Sequence, residues 1–295
     1  MAGTSRTGIN SRYTNEHACV TYLFRRRWPL GFRCPFCGSV QKETAPAYTV
    51  VCRYCRKQTS ITAQTIMHGS KKDLAAWLQV AWLFCSRNQG LSARELQRLM
   101  GLTCYQTAWN WLQKLRLAAA LAESAGCRGQ VLFDVVGLSA AAGGRLVSRE
   151  IAIALELNAR KADSARVRFQ VLQSRTPPDL AAAISSLVMK NSSLHLGDGD
   201  ARRAEYAGLA GAFHLEKAAA EQRQKGRKVV QHAETWLQRV FHRAVDAAYL
   251  QTYLDEFSFH WNTAFWPDRQ EVLDHLVTAL LSSDGGMPPY MVRRG

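Results

Sequence analysis

The stretches FRCPFCGS (32–39) and VCRYCRKQTS (51–60) decide how this chain is read. Cys34 and Cys37 are separated by two residues, and so are Cys52 and Cys55. A CxxC loop curls back so that both sulfurs face one side, and two such loops can offer four thiolates to one tetrahedral ion. Residues 38–51 between the pairs suit a small hairpin, with Tyr48 to Val51 as its returning strand. The span is one residue shorter than the usual zinc spacing, and the competing readings are a redox CxxC or unrelated thiols. Two pairs at this distance favour zinc. A ribbon this basic can bind DNA, bind a protein partner or brace the domain that follows. Cys19, Cys85, Cys104 and Cys127 fall outside the pattern and read as core or surface residues.

The rest of the chain sets the context for that ribbon. Its 295 residues carry 38 Lys and Arg against 23 Asp and Glu, a formal charge of +15. Such an excess favours a polyanionic partner, nucleic acid first and a membrane surface second. Hydrophobic residues make up 47%, so a sizeable core can be buried. No apolar run reaches the ~20 residues of a bilayer span. Met1 to Thr14 is polar and lacks the apolar core of a signal peptide, so a cytoplasmic location is expected. In that reducing compartment paired cysteines favour metal over disulfides.

Three segments follow from the pattern, giving an α+β multidomain chain. Residues 16–70 hold the ribbon, 71–122 are helical, and 128–282 mix strands with helices. The weakest boundary is the small-residue stretch 123–126; a second soft point is the polar, basic run 217–228, and the tail from Ser282 reads as loose. In the middle segment Ser70/Asp73, Ser92/Glu95 and Thr103/Gln106 have capping-box spacing and predict three helix starts. Gly101 to Thr103 then separates two short amphipathic helices, which suits a helix-turn-helix. In that motif the start of the second helix approaches base edges. Tyr105, Gln106 and Asn110 are therefore expected to read or stack on bases, and Lys114 and Arg116 to contact phosphate. The second helix is expected to expose these residues and Gln113; a plain helical connector is the alternative.

In the last segment strands are predicted at 130–139, 145–157, 165–173, 194–196 and 212–215. Helices are predicted at 178–190, 202–210, 229–243 and 246–262. Asp134 interrupts the apolar run 131–136, where a charge is costly unless paired or metal-bound. Asp198 lies in a Gly-Asp turn just after the apolar run 194–196, and His232 and Glu234 lie early in a predicted helix. Carboxylates gathered in this order can hold two magnesium or manganese ions for in-line phosphoryl transfer. Glu234 suits the third position better than His232, because imidazole is a poor ligand for a hard ion. Singly, each acid also reads as an ordinary turn or surface residue.

With these residues in view, the chain resembles bacterial insertion-sequence transposases of the ISXO type, from about Tyr13 to Trp266. The resemblance rests on FRCPFCGS (32–39), VCRYCRKQTSITAQTIMHGSK (51–71), LSARELQRLMGLTCYQTAWNWLQKLR (91–116) and LQTYLDEFSFHWN (250–262). It implies a zinc ribbon, a helix-turn-helix and an RNase H-like catalytic domain, with Asp134 and Asp198 as the first two catalytic acids. The third, Asn or a carboxylate in the family, falls near His232 or Glu234. It also implies double-stranded DNA as partner, a homo-oligomer, and a bacterial, nucleoid-associated setting. Three positions depart from the family pattern. Val135 stands where Glu usually follows the first Asp, His260 where Arg precedes the aromatic–Asn pair, and Thr263-Ala264 where two Arg follow. Besides an active transposase, the sequence admits a catalytically degenerate, domesticated DNA-binding descendant and a zinc-stabilised RNA-binding or assembly protein.

Overall fold

The computed structural model describes residues 13–69, 73–142, 145–157, 165–197, 206, 212–241 and 245–282. They form two compact units. The first runs to Arg87, continues from Leu91 to Ala122 and resumes at Pro267; the second holds Asn88–Gly90 and Glu123–Trp266.

The first unit opens with α1 (Glu16–Arg27), which the sequence reading did not anticipate. Its signals are nevertheless local. Asn15 caps it by accepting from the His17 and Ala18 N–H groups. Glu16 in the first turn and Arg25, Arg26 and Arg27 in the last complement the helix dipole. Two short hairpins follow, β1 (Phe32–Arg33) with β2 (Val40–Gln41), and β3 (Thr49–Val51) with β4 (Gln58–Ser60). Arg27 ties α1 to the chain leaving β4, donating to the carbonyls of Ser60, Ile61 and Ala63 at 2.6–2.9 Å.

The helix α2 (Leu74–Ser86) is capped by Asp73, whose carboxylate accepts from the Ala76 N–H. Glu16 reaches across from α1 to accept from the Leu74 and Ala75 N–H groups as well. The proposed cap Ser70 lies outside the described residues. Ser92 caps α3 (Ala93–Leu99) through the Glu95 N–H, as its spacing predicts. A turn through Gly101, at φ +59°, leads to α4 (Tyr105–Ala122). A last helix, Arg269–Leu280, packs on α1, α2 and α4 in this unit, whereas the sequence reading ran its third segment through to 282.

The second unit is a five-stranded sheet. β5 (Gln130–Ala142), β6 (Arg145–Glu156) and β7 (Val167–Val171) form an antiparallel meander. After α5 (Pro177–Leu187), β8 (Ser193–Leu196) returns parallel to β5, and β9 (His214–Lys217) runs parallel to β8. The order is β7-β6-β5-β8-β9, so β5 is central. Two helices complete the unit, α6 (Ala220–Phe241) and α7 (Leu250–Thr263). The expected helix at 202–210 lies, except for Tyr206, outside the described residues.

Side chains alternate along β5. Leu132, Leu138 and Ala140 pack with Val229, Ala233, Leu237, Leu254 and Phe257 of α6 and α7. Val131, Phe133 and Val135 pack on the other face with Leu180, Ile184 and Leu187 of α5. Burying one Leu or Phe contributes about 1.5–3 kcal/mol, so these two layers hold the sheet together.

α6 begins at Ala220 and not near Val229, which corrects the placement of its start. Residues 220–228 of the polar run are its mostly exposed first half, joined by a Glu221–Lys225 pair at 3.2 Å and by Gln222, which accepts from the Ala219 N–H. Gly226 lies against the sheet there; a Cβ would stand 2.5 Å from Leu132 Cδ2.

α7 covers the outer edge of β7 with side-chain amides. Asn262 accepts from the Val167 N–H (2.9 Å) and donates to the Val167 carbonyl (3.1 Å). Gln251 accepts from the Val171 N–H (2.7 Å) and donates to the Phe169 carbonyl (3.0 Å). Trp261 donates its indole N–H to the Ala165 carbonyl. About three turns separate Gln251 from Asn262 at 3.6 residues per turn, so both face the same edge.

Candidate functional site

The four ribbon cysteines come together. One sulfur of each lies within 4.8 Å of all the others. Cys34 and Cys55 are 3.6 Å apart, Cys37 and Cys52 3.7 Å. A tetrahedron with Zn–S bonds of about 2.3 Å has edges of about 3.8 Å, so the spacing fits zinc. The two loops are built alike. The Gly38 N–H donates to the Cys34 carbonyl and the Arg56 N–H to the Cys52 carbonyl, each residue having positive φ (72° and 61°).

Hydrogen bonds tune the thiols. The Cys55 N–H foremost, with the Ser39 hydroxyl, holds the Cys52 thiol down to about 5, and Ser39 lowers that of Cys37. The Lys57 N–H also draws the Cys55 thiol down, but burial and three sulfur neighbours outweigh it and push the thiol up to about 11. Four thiolates crowd one another, and a dication is what relieves that repulsion. The chemistry and geometry together support a structural zinc.

The residues expected to meet DNA divide. Tyr105, Gln106 and Asn110 are exposed at the start of α4, with Gln106 donating to Asn110 at 3.0 Å. Cys104, just before the helix, has its thiol lowered by the N–H groups of Thr107 and Gln106, the position of a capping residue. Arg116 is only 1% exposed and Gln113 7%, which corrects the expectation that α4 displays both. Lys114 is half-buried, donates to the His68 carbonyl at 3.0 Å and lies 5.8 Å from the centre of the Trp77 ring. Lys114 therefore braces the helix within its unit, and Arg116 is enclosed in it.

In the second unit Asp134 sits half-buried at the middle of the central strand, on the face that carries Leu132. Its Oδ1 accepts from the Val135 N–H at 2.9 Å. Gly197 continues β8 beside it, donating its N–H to the Phe133 carbonyl at 2.8 Å. The Asp134 carboxylate occupies the space that a Cβ on Gly197 would fill. Asp198, the next residue, lies outside the described residues.

The two proposed third groups lie on α6. His232 is exposed and packs on Trp261, with ring centres 5.6 Å apart. Glu234 lines a cavity of about 270 Å³ with Leu138, Ser139 and Ala140. That is four or more residues further along β5, about 13 Å at ~3.3 Å per residue.

His195 is a further polar residue of this face that was not anticipated from the sequence. It is 5% exposed and pairs across β8 with Leu132 on one side and Glu216 on the other, so it shares the face of Asp134. Its Nδ1 lies 3.4 Å from Glu216 and 3.5 Å from the Gln222 amide, while its Nε2 has no hydrogen-bond partner among the described residues. The signal was a histidine within the apolar run 194–196. Val135, by contrast, faces the α5 side and is buried there.

A four-cysteine ribbon preceded by a capped helix thus opens the chain. Residues 14–58, spanning that helix and both loops, match the family described as the transposase zinc-ribbon domain, of the IS1595 type. The match supports an IS1595-type transposase N-terminus. No match is found among curated proteins. Among the described residues no helix is long and apolar enough to cross a membrane.

Proposed function

We propose that this chain is an insertion-sequence transposase. On this reading its first unit binds transposon ends through a zinc ribbon and a helix-turn-helix, and its second is an RNase H-like unit for metal-dependent strand cleavage and transfer. The observation that carries the catalytic half is the Asp134 carboxylate on the central strand, lying against Gly197 immediately before Asp198. A sheet of order β7-β6-β5-β8-β9, with three antiparallel strands followed by two parallel ones, is consistent with that class of fold. The transposase match of residues 14–58 supports duplex DNA as the partner.

Asp134 and Asp198 supply oxygen donors, which suit Mg²⁺ or Mn²⁺, and the missing Cβ at Gly197 makes room for the Asp134 carboxylate beside it. When bound, such ions activate the attacking oxygen and stabilise the leaving one. The chain's own part is positioning. The Val135 N–H holds one carboxylate oxygen, and the buried His195 supports the neighbouring strand on the same face. Water would attack the phosphodiester at a transposon end, and the freed 3′-hydroxyl would then attack target DNA. Assembly on two ends implies a homo-oligomer.

One observation favours a second reading, a degenerate transposase that keeps DNA binding alone. His232 packs on Trp261, and Glu234 lines a cavity with Leu138, Ser139 and Ala140, so neither is committed to Asp134. A strand-transfer assay on the DNA flanking the coding region, with Mg²⁺ or Mn²⁺, separates the two. Products lost in Asp134→Asn support the transposase. Specific binding without any product supports the degenerate form, and absence of duplex binding overturns both.

A further inference from the structure

The zinc end of the ribbon presents two largely exposed aromatic rings. Phe36 is 52% exposed and Tyr54 72%. Each is the third residue of its CxxC loop, and the four sulfurs within 4.8 Å bind the two loops to one centre. Lys57, leaving the second loop, lies 4.6 Å from the centre of the Phe36 ring of the first, so the two loops are neighbours. Arg33, Arg53 and Arg56 are exposed on the same loops, and Glu43 is the one acid in residues 30–60. These rings stand on short loops closed by hydrogen bonds, so fixing them on a ligand costs little conformational entropy.

We propose that Phe36 and Tyr54 form a stacking platform for unpaired nucleotides, flanked by Arg53, Arg56 and Lys57 for the phosphates. The proposal rests on the DNA-binding reading above and names which form of DNA this end of the ribbon takes. A duplex hides the faces of its bases and offers mainly phosphate and groove edges. Exposed rings among cations complement a single strand, whose bases are free to stack and whose backbone is anionic. Tyr105, Gln106 and Asn110 on α4 have the polar chemistry of duplex contacts, so the two surfaces divide the labour. Unpaired stretches at a cleaved or melted transposon end would supply the ligand.

The test uses the full zinc-loaded chain and fluorescence anisotropy at one salt concentration. The probes are a short oligothymidylate, a blunt transposon-end duplex, and that duplex with an unpaired thymidine tail. Zinc content is measured for every variant. Phe36→Ala and Tyr54→Ala are expected to weaken oligothymidylate and tailed-duplex binding roughly 5–150-fold each, the range of a base–aromatic stack. Blunt-duplex affinity should move less than about twofold, and Tyr54→Trp should restore single-strand binding. Equal losses on all three probes would reduce the rings to structural support and overturn the proposal. So would single-strand binding that neither variant changes, or a wild-type chain that binds the blunt duplex and not the single strand. The last result leaves the transposase reading standing. Ring-dependent single-strand binding without any duplex binding supports the platform and counts against that reading instead.

Discussion

Replacing Gly197 by alanine tests the juxtaposition on which the catalytic reading rests. The φ of Gly197 is not in the left-handed region, so alanine meets no backbone penalty and the perturbation is one methyl group. That methyl would overlap the Asp134 carboxylate, which must swing away and give up its bond from the Val135 N–H. An off-rotamer side chain costs about 0.5–1.5 kcal/mol and a lost hydrogen bond about 0.5–1.5 kcal/mol, so Gly197→Ala should destabilise by about 1–3 kcal/mol. The fold, at ~5–15 kcal/mol, survives. In an Asp134→Ala background the obstacle is gone, and the same methyl should cost little. A double-mutant cycle read by urea denaturation should therefore give a coupling of about 1 kcal/mol or more. Strand cleavage by the single variant should fall about 100-fold, the scale set by a ~1 Å misplacement. A coupling indistinguishable from zero would refute the argument, because the carboxylate would then not lie where the cycle requires.

Four further outcomes follow from the geometry. Metal analysis should find one zinc per chain, and Cys37→Ser or Cys52→Ser should abolish it and unfold residues 30–60, seen as lost amide protection there. The Cys52 thiolate, lowered from 9.0 to about 5, stabilises the fold fully above pH 9, and that contribution fades as pH falls towards 5; a zinc-release titration should show loss in acid. Arg116→Met should cost more than about 2 kcal/mol in urea unfolding, whereas Asn110→Ala should weaken duplex binding with stability unchanged to within about 0.5 kcal/mol. Asn262→Leu leaves the Val167 N–H and carbonyl unpaired, at about 1–3 kcal/mol each, and hydrogen exchange at the Val167 amide should accelerate while duplex affinity stays unchanged.

The ribbon was legible because CxxC pairs are local and chemically narrow. The first three strands were legible from apolar runs such as 131–136. α1 was missed although Asn15 and Glu16 mark its start, because its apolar face is only Cys19, Val20, Leu23 and Phe24 and ends in three arginines. Arg116 was misplaced for a tertiary reason: charge reads as surface, but the burial of α4 from Trp111 through Ala119 is set by other helices of its unit. The start of α6 was obscured because its first turns are polar, although Gln222 and Gly226 there meet the sheet. The third site residue could not be read for the same reason, since spacing along a helix of unknown start does not say which face meets the strand. The segment 250–262 was recognisable as a motif, but its pattern did not reveal that Gln251, Trp261 and Asn262 seal a strand edge.

That seal has a consequence in time. Val167 waits for Asn262, which leaves the ribosome 95 residues later, and Val171 waits for Gln251, 80 residues later. At ~5–20 residues per second the edge of β7 stays uncovered for about 5–20 s of synthesis. During that interval the nascent meander offers open N–H and carbonyl groups to any other extended chain. A product truncated before Leu250 would keep that edge open for its lifetime, so incomplete translation yields a sticky fragment rather than a smaller working protein.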